Sequence, residues 1–170
     1  SYLPSDILAA FLYAQLEKLD EIQESRLSVW NTYYRRLKEF EDEGIIRLPV
    51  VPDYAEHNGH LFYVLFCDEQ TRDQAMEGLK EQGVHAVFHY IPLHSAPMGQ
   101  RYGYSEGDLP VTEDLSGRLL RLPIYAGMRG DELRFTVSRV GDLLKKLSDG
   151  SNKPLTHSHH KERISKGLSD

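Results

Sequence analysis

The chain has 170 residues, with 26 acidic and 20 basic side chains for a net charge of −6, and a single cysteine. That length fits one domain or slightly more, one cysteine excludes an internal disulfide and any multi-cysteine zinc site, and the longest strongly apolar run, residues 61–67, is far below the roughly 20 residues of a membrane span. An acidic chain with no basic block also lacks the phosphate-neutralising surface on which nucleic-acid affinity rests, so the expectation is a cytoplasmic protein with neither nucleic acid nor membrane as partner.

The chain opens at Ser1 without a leader pattern, which reads as a start inside a longer chain. Ser5 is a candidate N-cap with Asp6 in the first turn, and Ile7, Phe11, Leu12, Leu16, Leu19 and Ile22 recur at helical spacing. The pattern resumes with Leu27, Trp30, Tyr34, Leu37 and Phe40 and stops at Gly44, predicting one bent amphipathic helix or two in succession. Residues 45–48 read as a short strand closed by Pro49 and Pro52, and residues 61–67 as a second. Thr71 and Gln74 suggest a T-x-x-Q capping box for a helix that carries Ala75, Met76 and Leu79 and ends at Gly83. From 84 to 90 the chain alternates, with Val84, Ala86, Phe88 and Tyr90 on one face and His85, Val87 and His89 on the other, predicting a strand. Residues 91–110 hold three prolines and three glycines and show no period, which predicts a long loop of the kind that carries function. Thr112 reads as the cap of a helix with Leu115, Leu119 and Leu120 that ends at Pro123; Leu133, Val137, Val140, Leu144 and Leu147 mark a last helix. Residues 149–170, rich in Ser, Lys and His, read as a flexible tail.

Eight histidines invite a metal reading, but His85 and His89 lie four strand residues apart, roughly 13 Å, too far to share an ion. His57 and His60 have no helical H-E-x-x-H frame, and His157, His159 and His160 fall in the tail. No native metal site is expected. Cys67 lies in an apolar run and reads as inert packing; no G-x-S-x-G elbow, P-loop or G-x-G-x-x-G turn occurs. What remains is Phe88-His89-Tyr90-Ile91-Pro92-Leu93-His94, two imidazoles and a phenol where a strand runs into a long loop. A rigid element presents polar groups to ligands in this way, although a histidine at a strand end also serves as a satisfied structural residue.

The string His89-Tyr90-Ile91-Pro92-Leu93-His94, followed by Leu120-Arg121-Leu122-Pro123, resembles the paired H-Y-x-P-L-H and L-S-L-P motifs of the DegT-StrS family of pyridoxal-phosphate sugar aminotransferases. The opening Ser1-Tyr2-Leu3-Pro4-Ser5-Asp6 and the later Ala14-Gln15-Leu16-Glu17-Lys18-Leu19 resemble the family's N-Y-R-M-S-D and A-Q-L-E-K-L segments. The resemblance covers residues 1 to about 147 and implies an α/β fold, the small C-terminal domain of a fold-type I aminotransferase preceded by a long helical segment. It implies a helical segment over 1–44, a small α/β domain over 45–148 and a tail over 149–170. It further implies pyridoxal 5'-phosphate as cofactor, a nucleotide-sugar substrate, an amino donor such as glutamate, and a homodimer with active sites between subunits. The lysine that anchors the cofactor would lie upstream of Ser1, so no catalytic residue is assigned within this chain and the segment alone would be inactive. His89, Tyr90 and His94 fall at the substrate side, and Ser1 stands where the family's asparagine reaches the cofactor phosphate of the neighbouring subunit. Leu3 and Leu8 replace the family's Arg and Gln, and Arg121 in place of Ser reads as a surface change. The competing expectation is a non-catalytic dimerising or ligand-binding α/β module.

Overall fold

A computed structural model describes residues 3–150. Helix α1 spans Asp6–Leu16 and α2 spans Leu19–Asp42, so the long helical pattern is two helices with a break at Glu17 and Lys18. Ser5 caps α1, its hydroxyl accepting from the Leu8 N–H at 3.4 Å, and Gly44 leaves α2 with a left-handed φ of 74°. Further along come β1 (Phe62–Leu65), α3 (Glu69–Glu81), β2 (Val87–Phe88), α4 (Pro97–Arg101), α5 (Pro110–Arg118), β3 (Leu119–Leu122) and α6 (Gly130–Gly150).

The three strands form one sheet in the order β1-β3-β2, with β3 antiparallel to both neighbours. β1, α3 and β2 therefore make a βαβ unit whose two strands are split by β3. Phe62 pairs with Leu122 and Val64 with Leu120, and these four side chains are buried. They meet Val29, Tyr33, Leu37 and Phe40 of α2, Ala75 and Leu79 of α3, and Val140 and Leu144 of α6 in one core. Tyr63, Arg121 and Val87 pair across the same rows on the other face, which no described helix covers fully and where all three are half-buried. The result is a helical layer on one side of a small sheet and an open second side.

Several local expectations change. Leu119 and Leu120 do not continue the preceding helix: they begin β3, the central strand, because Leu120 and Leu122 point into the core while Arg121 points away, a period of two. Pro110, at the start of α5, does the work expected of Thr112. Asp68, not Thr71, caps α3, its carboxylate accepting from the Thr71 N–H at 2.7 Å. Residues 45–48 make only a single bridge, Arg47 to Leu65. Within 84–90 only Val87 and Phe88 pair as strand; Val84 and Ala86 are buried, whereas Phe88 and Tyr90 are exposed. Cys67 is exposed, its Sγ 3.3 Å from Thr71 Oγ1, so it is not core packing. α6 runs through Gly150, two residues into the segment read as tail; the rest of that segment, and Ser1, lie outside the described residues. No helix among the described residues is long and apolar enough to cross a membrane.

Candidate functional site

The exit of β2 is bent by Tyr90, which holds a φ of 48°, the one non-glycine residue in the left-handed region among those described. For a side chain with a Cβ this costs on the order of 1–3 kcal/mol, and surrounding structure must hold it there. Had the strand simply continued, Tyr90 would face away from Arg121. Instead the turn brings the phenol ring beside the Arg121 guanidinium, Cζ to ring centroid 5.0 Å, with the His89 ring 5.7 Å from that of Tyr90. His89 is half-buried, and its Nδ1 is buried with no hydrogen-bond partner.

The loop beyond is built, not slack. The N–H groups of Ser95 and Ala96 both donate to the Pro92 carbonyl at 3.1 Å, and Gln100 Nε2 donates to the Ser95 carbonyl at 3.0 Å. Gly99 of α4 presses on the carbonyl oxygens of Leu93 and His94, where any Cβ would overlap both, so only glycine fits. His94 is buried, and its Nε2 lies 2.6 Å from Glu113 Oε1 on α5. A carboxylate can only accept, so this contact places the imidazole proton on Nε2. The same Oε1 accepts from the Gly107 N–H at 2.8 Å. The hydrogen bond from His94, and then that from Gly107, hold the Glu113 carboxyl below the usual glutamate range. One carboxylate thus ties both halves of the loop to α5.

Between this loop, α3 and α5 lies an open cleft of about 530 Å³ whose lining includes Arg72, Phe88, Tyr90, Pro92 and Glu113. Arg72 is buried, 2.9 Å from Glu69, 3.1 Å from Asp73 and 5.7 Å from the Phe88 ring centroid, so its charge is already matched. A second cleft of about 600 Å³ beside the start of α6 holds Tyr125 and Glu132. The Tyr125 hydroxyl donates to Glu132 at 3.1 Å, and burial together with this acceptor pushes the phenol up from its ordinary value. Among the described residues, no three His, Cys, Asp or Glu side chains converge as metal ligands would.

Of the residues singled out from sequence, His89 and Tyr90 sit together at the strand exit, whereas His94 turns inward to Glu113. Ser1 lies outside the described residues. Glu113, Gly99 and Arg121 went unnoticed as site residues. Nothing in the sequence links Glu113 to a histidine nineteen positions earlier, but the Leu-Arg-Leu alternation ending at Pro123 would have placed Arg121 on an open sheet face had it been read as a strand.

The chain belongs to the DegT/DnrJ/EryC1/StrS aminotransferase family, which it matches over residues 3–141. It is 33% identical over 82% of its length to the spore coat polysaccharide biosynthesis protein SpsC of Bacillus subtilis, covering 36% of that protein. To the dTDP-3-amino-3,4,6-trideoxy-alpha-D-glucose transaminase of Micromonospora megalomicea it is 30% identical over 84% of its length, covering 38% of the relative. Among solved structures it superimposes on S. venezuelae DesV in complex with ketimine intermediate, with a TM-score of 0.72, 27% identity, and coverage of 81% of this chain and 36% of that one. The chain spans little more than a third of the curated relatives it matches.

Pyridoxal phosphate is the cofactor that this family and its solved structures indicate. The described lysines do not form a place for it. Lys18, Lys38 and Lys80 are each paired with a carboxylate of their own helix or its start, Lys145 and Lys146 lie exposed on α6, and none lines the cleft at Tyr90. No described lysine is therefore placed to anchor the cofactor at the cleft beside Tyr90.

Proposed function

We propose that this chain is the C-terminal portion of a nucleotide-sugar aminotransferase, one that moves an amino group, with glutamate as donor, onto a dTDP-linked keto-deoxysugar used in surface polysaccharide. In this reading the cofactor-anchoring lysine is supplied upstream of Ser1, the enzyme is a cytoplasmic homodimer, and Ser1 reaches the cofactor phosphate of the neighbouring subunit. The observation that carries the reading is the family match over residues 3–141, with its H-Y-x-P-L-H string folded at the mouth of a cleft. The names of two relatives, a dTDP-amino-sugar transaminase and a polysaccharide biosynthesis protein, support the substrate class. Within that class the motifs Ser1-Tyr2-Leu3-Pro4-Ser5-Asp6 and Val87-Phe88-His89-Tyr90-Ile91-Pro92-Leu93-His94 look most like dTDP-4-amino-4,6-dideoxygalactose transaminase.

The reading assigns His89, Tyr90 and His94 to the substrate side. The neighbouring rings of His89 and Tyr90 at the exit of β2 support it, while His94, held by Glu113, shapes the loop that follows. The test begins with the intact mass of the native gene product, which on this reading is well above that of 170 residues. That product, supplied with pyridoxal phosphate and glutamate, is then assayed for amination of dTDP-4-keto-6-deoxysugars. In it, His89→Ala is expected to lower turnover while the cofactor absorbance band persists. A native product that binds pyridoxal phosphate but aminates no nucleotide sugar would overturn the substrate class, and an unchanged rate in His89→Ala would remove that residue from the site.

A further inference from the structure

We infer that Arg121, with His89 and Tyr90 beside it, forms a subsite that binds the oxyanion of a ligand, a carboxylate or a phosphate, on the open face of the sheet. The inference deepens the aminotransferase reading, resting on its placement of His89 and Tyr90 at the substrate side.

Arg121 stands in the middle of the central strand, paired with Tyr63 on one side and Val87 on the other. A position there is fixed by two ladders, the rigid kind of setting that holds a binding group in place. Its side chain is half-buried, and its Nε is shielded from solvent with no acceptor in reach. Arg72 and Arg118, whose Nε atoms are equally shielded, each have carboxylates on the rest of the guanidinium, at 2.9 Å and 2.5 Å. Arg121 has no ion pair among the described residues; its neighbour is the Tyr90 ring. A ring face attracts a cation but offers no oxygen to replace lost water, so the shielded Nε–H is left without an acceptor. A charge left partly desolvated and unmatched is unfavourable unless a ligand completes it.

The surroundings repeat the message. His89 Nδ1 is likewise shielded and without a partner, on the residue that follows β2, and the His89 ring lies 5.7 Å from that of Tyr90. Tyr90 leaves the ordinary backbone region to stand against the guanidinium. Unsatisfied nitrogens on two residues that flank the same Tyr90 ring, in a chain of net charge −6 that repels anions in general, point to a local and specific attraction. The planar five-donor fork of arginine matches carboxylate and phosphate oxygens in pairs. An amino donor carries the first group and a nucleotide sugar the second, and both are oxyanions.

The experiment is a titration of the full 170-residue chain, labelled with 15N, followed at the arginine Nε–H resonances. Glutamate and inorganic phosphate are the probes in separate arms, and sodium chloride at matched ionic strength is the blank. The expected result is a saturable shift of the Arg121 resonance with one of the two oxyanions and no saturation with chloride, while Arg134, exposed on α6, stays put. The arm that saturates at the lower concentration says whether the ligand group is the donor's carboxylate or a phosphate. Arg121→Gln should weaken the response of neighbouring amides by about tenfold or more, and Arg121→Lys, which keeps charge but not the fork, should fall between. No saturable shift in either arm, or an undiminished response in Arg121→Gln, would overturn the subsite. The aminotransferase reading would survive that result, since it fails on turnover and cofactor binding instead.

Discussion

α1 and α2 follow each other with two residues between them, and both were legible as helices from apolar spacing, yet they live in opposite surroundings. In α2, Val29, Tyr33, Leu37 and Phe40 are all but removed from solvent. In α1 nothing is buried: Ile7 is 82% exposed and Phe11 68%, and Leu12 and Leu16 are open as well. The difference teaches that periodicity identifies a helix without identifying what it packs against. α1 is held by local terms, the Ser5 cap and Asp6 in the positive first turn, whereas α2 is held by the core.

Three substitutions can break or sharpen this contrast. The largest effect belongs to Leu37→Ala, which opens a cavity among α2, the sheet and α6 and is expected to cost about 2–5 kcal/mol in urea unfolding. A loss near zero would mean α2 is no more a part of the core than α1. Intermediate in size is Glu113→Gln, which acts on a region held by one carboxylate. Because the folded carboxyl sits below its ordinary 4.5, the unfolded chain takes up the proton first as the pH drops. The contribution of Glu113 is therefore complete above that value and is lost as pH falls through the lowered one. The wild-type unfolding midpoint should decline across this acid window, with a shallower decline in Glu113→Gln; parallel profiles would remove Glu113 as the loop's anchor. The smallest effect is expected for Leu12→Ala in α1, within about 0.5 kcal/mol by the same urea measurement. A larger loss would show α1 buried against something in solution.

Much of the architecture could be read from the residues alone. Gly44 and Gly83 do end their helices with left-handed backbone, and the run from Leu61 to Cys67 does contain β1. The failures have a common cause. Leu119-Leu120 looked helical because two adjacent leucines extend a helical stripe as readily as they start a strand, and only pairing with β1 and β2 decides between them. Cys67 looked like core because it ends an apolar run, but the strand stops two residues earlier. At the site, the strand exit at His89 and Tyr90 was visible as chemistry in a row. Glu113 and Arg121 were not, since their roles arise from contacts made across nineteen and thirty-one residues of chain.

The Tyr33 hydroxyl, buried in the core, donates to the Pro123 carbonyl at 2.8 Å, and burial pushes its ionisation well above the ordinary range. A hydroxyl held in its neutral form is what a donor to a carbonyl requires. Mechanically it is a rivet. α2 is a beam of 24 residues, about 36 Å long, and this contact pins it past its midpoint to the end of the strand that carries Arg121. Whatever displaces this part of α2 therefore strains the bond at the end of β3, the strand that carries Arg121.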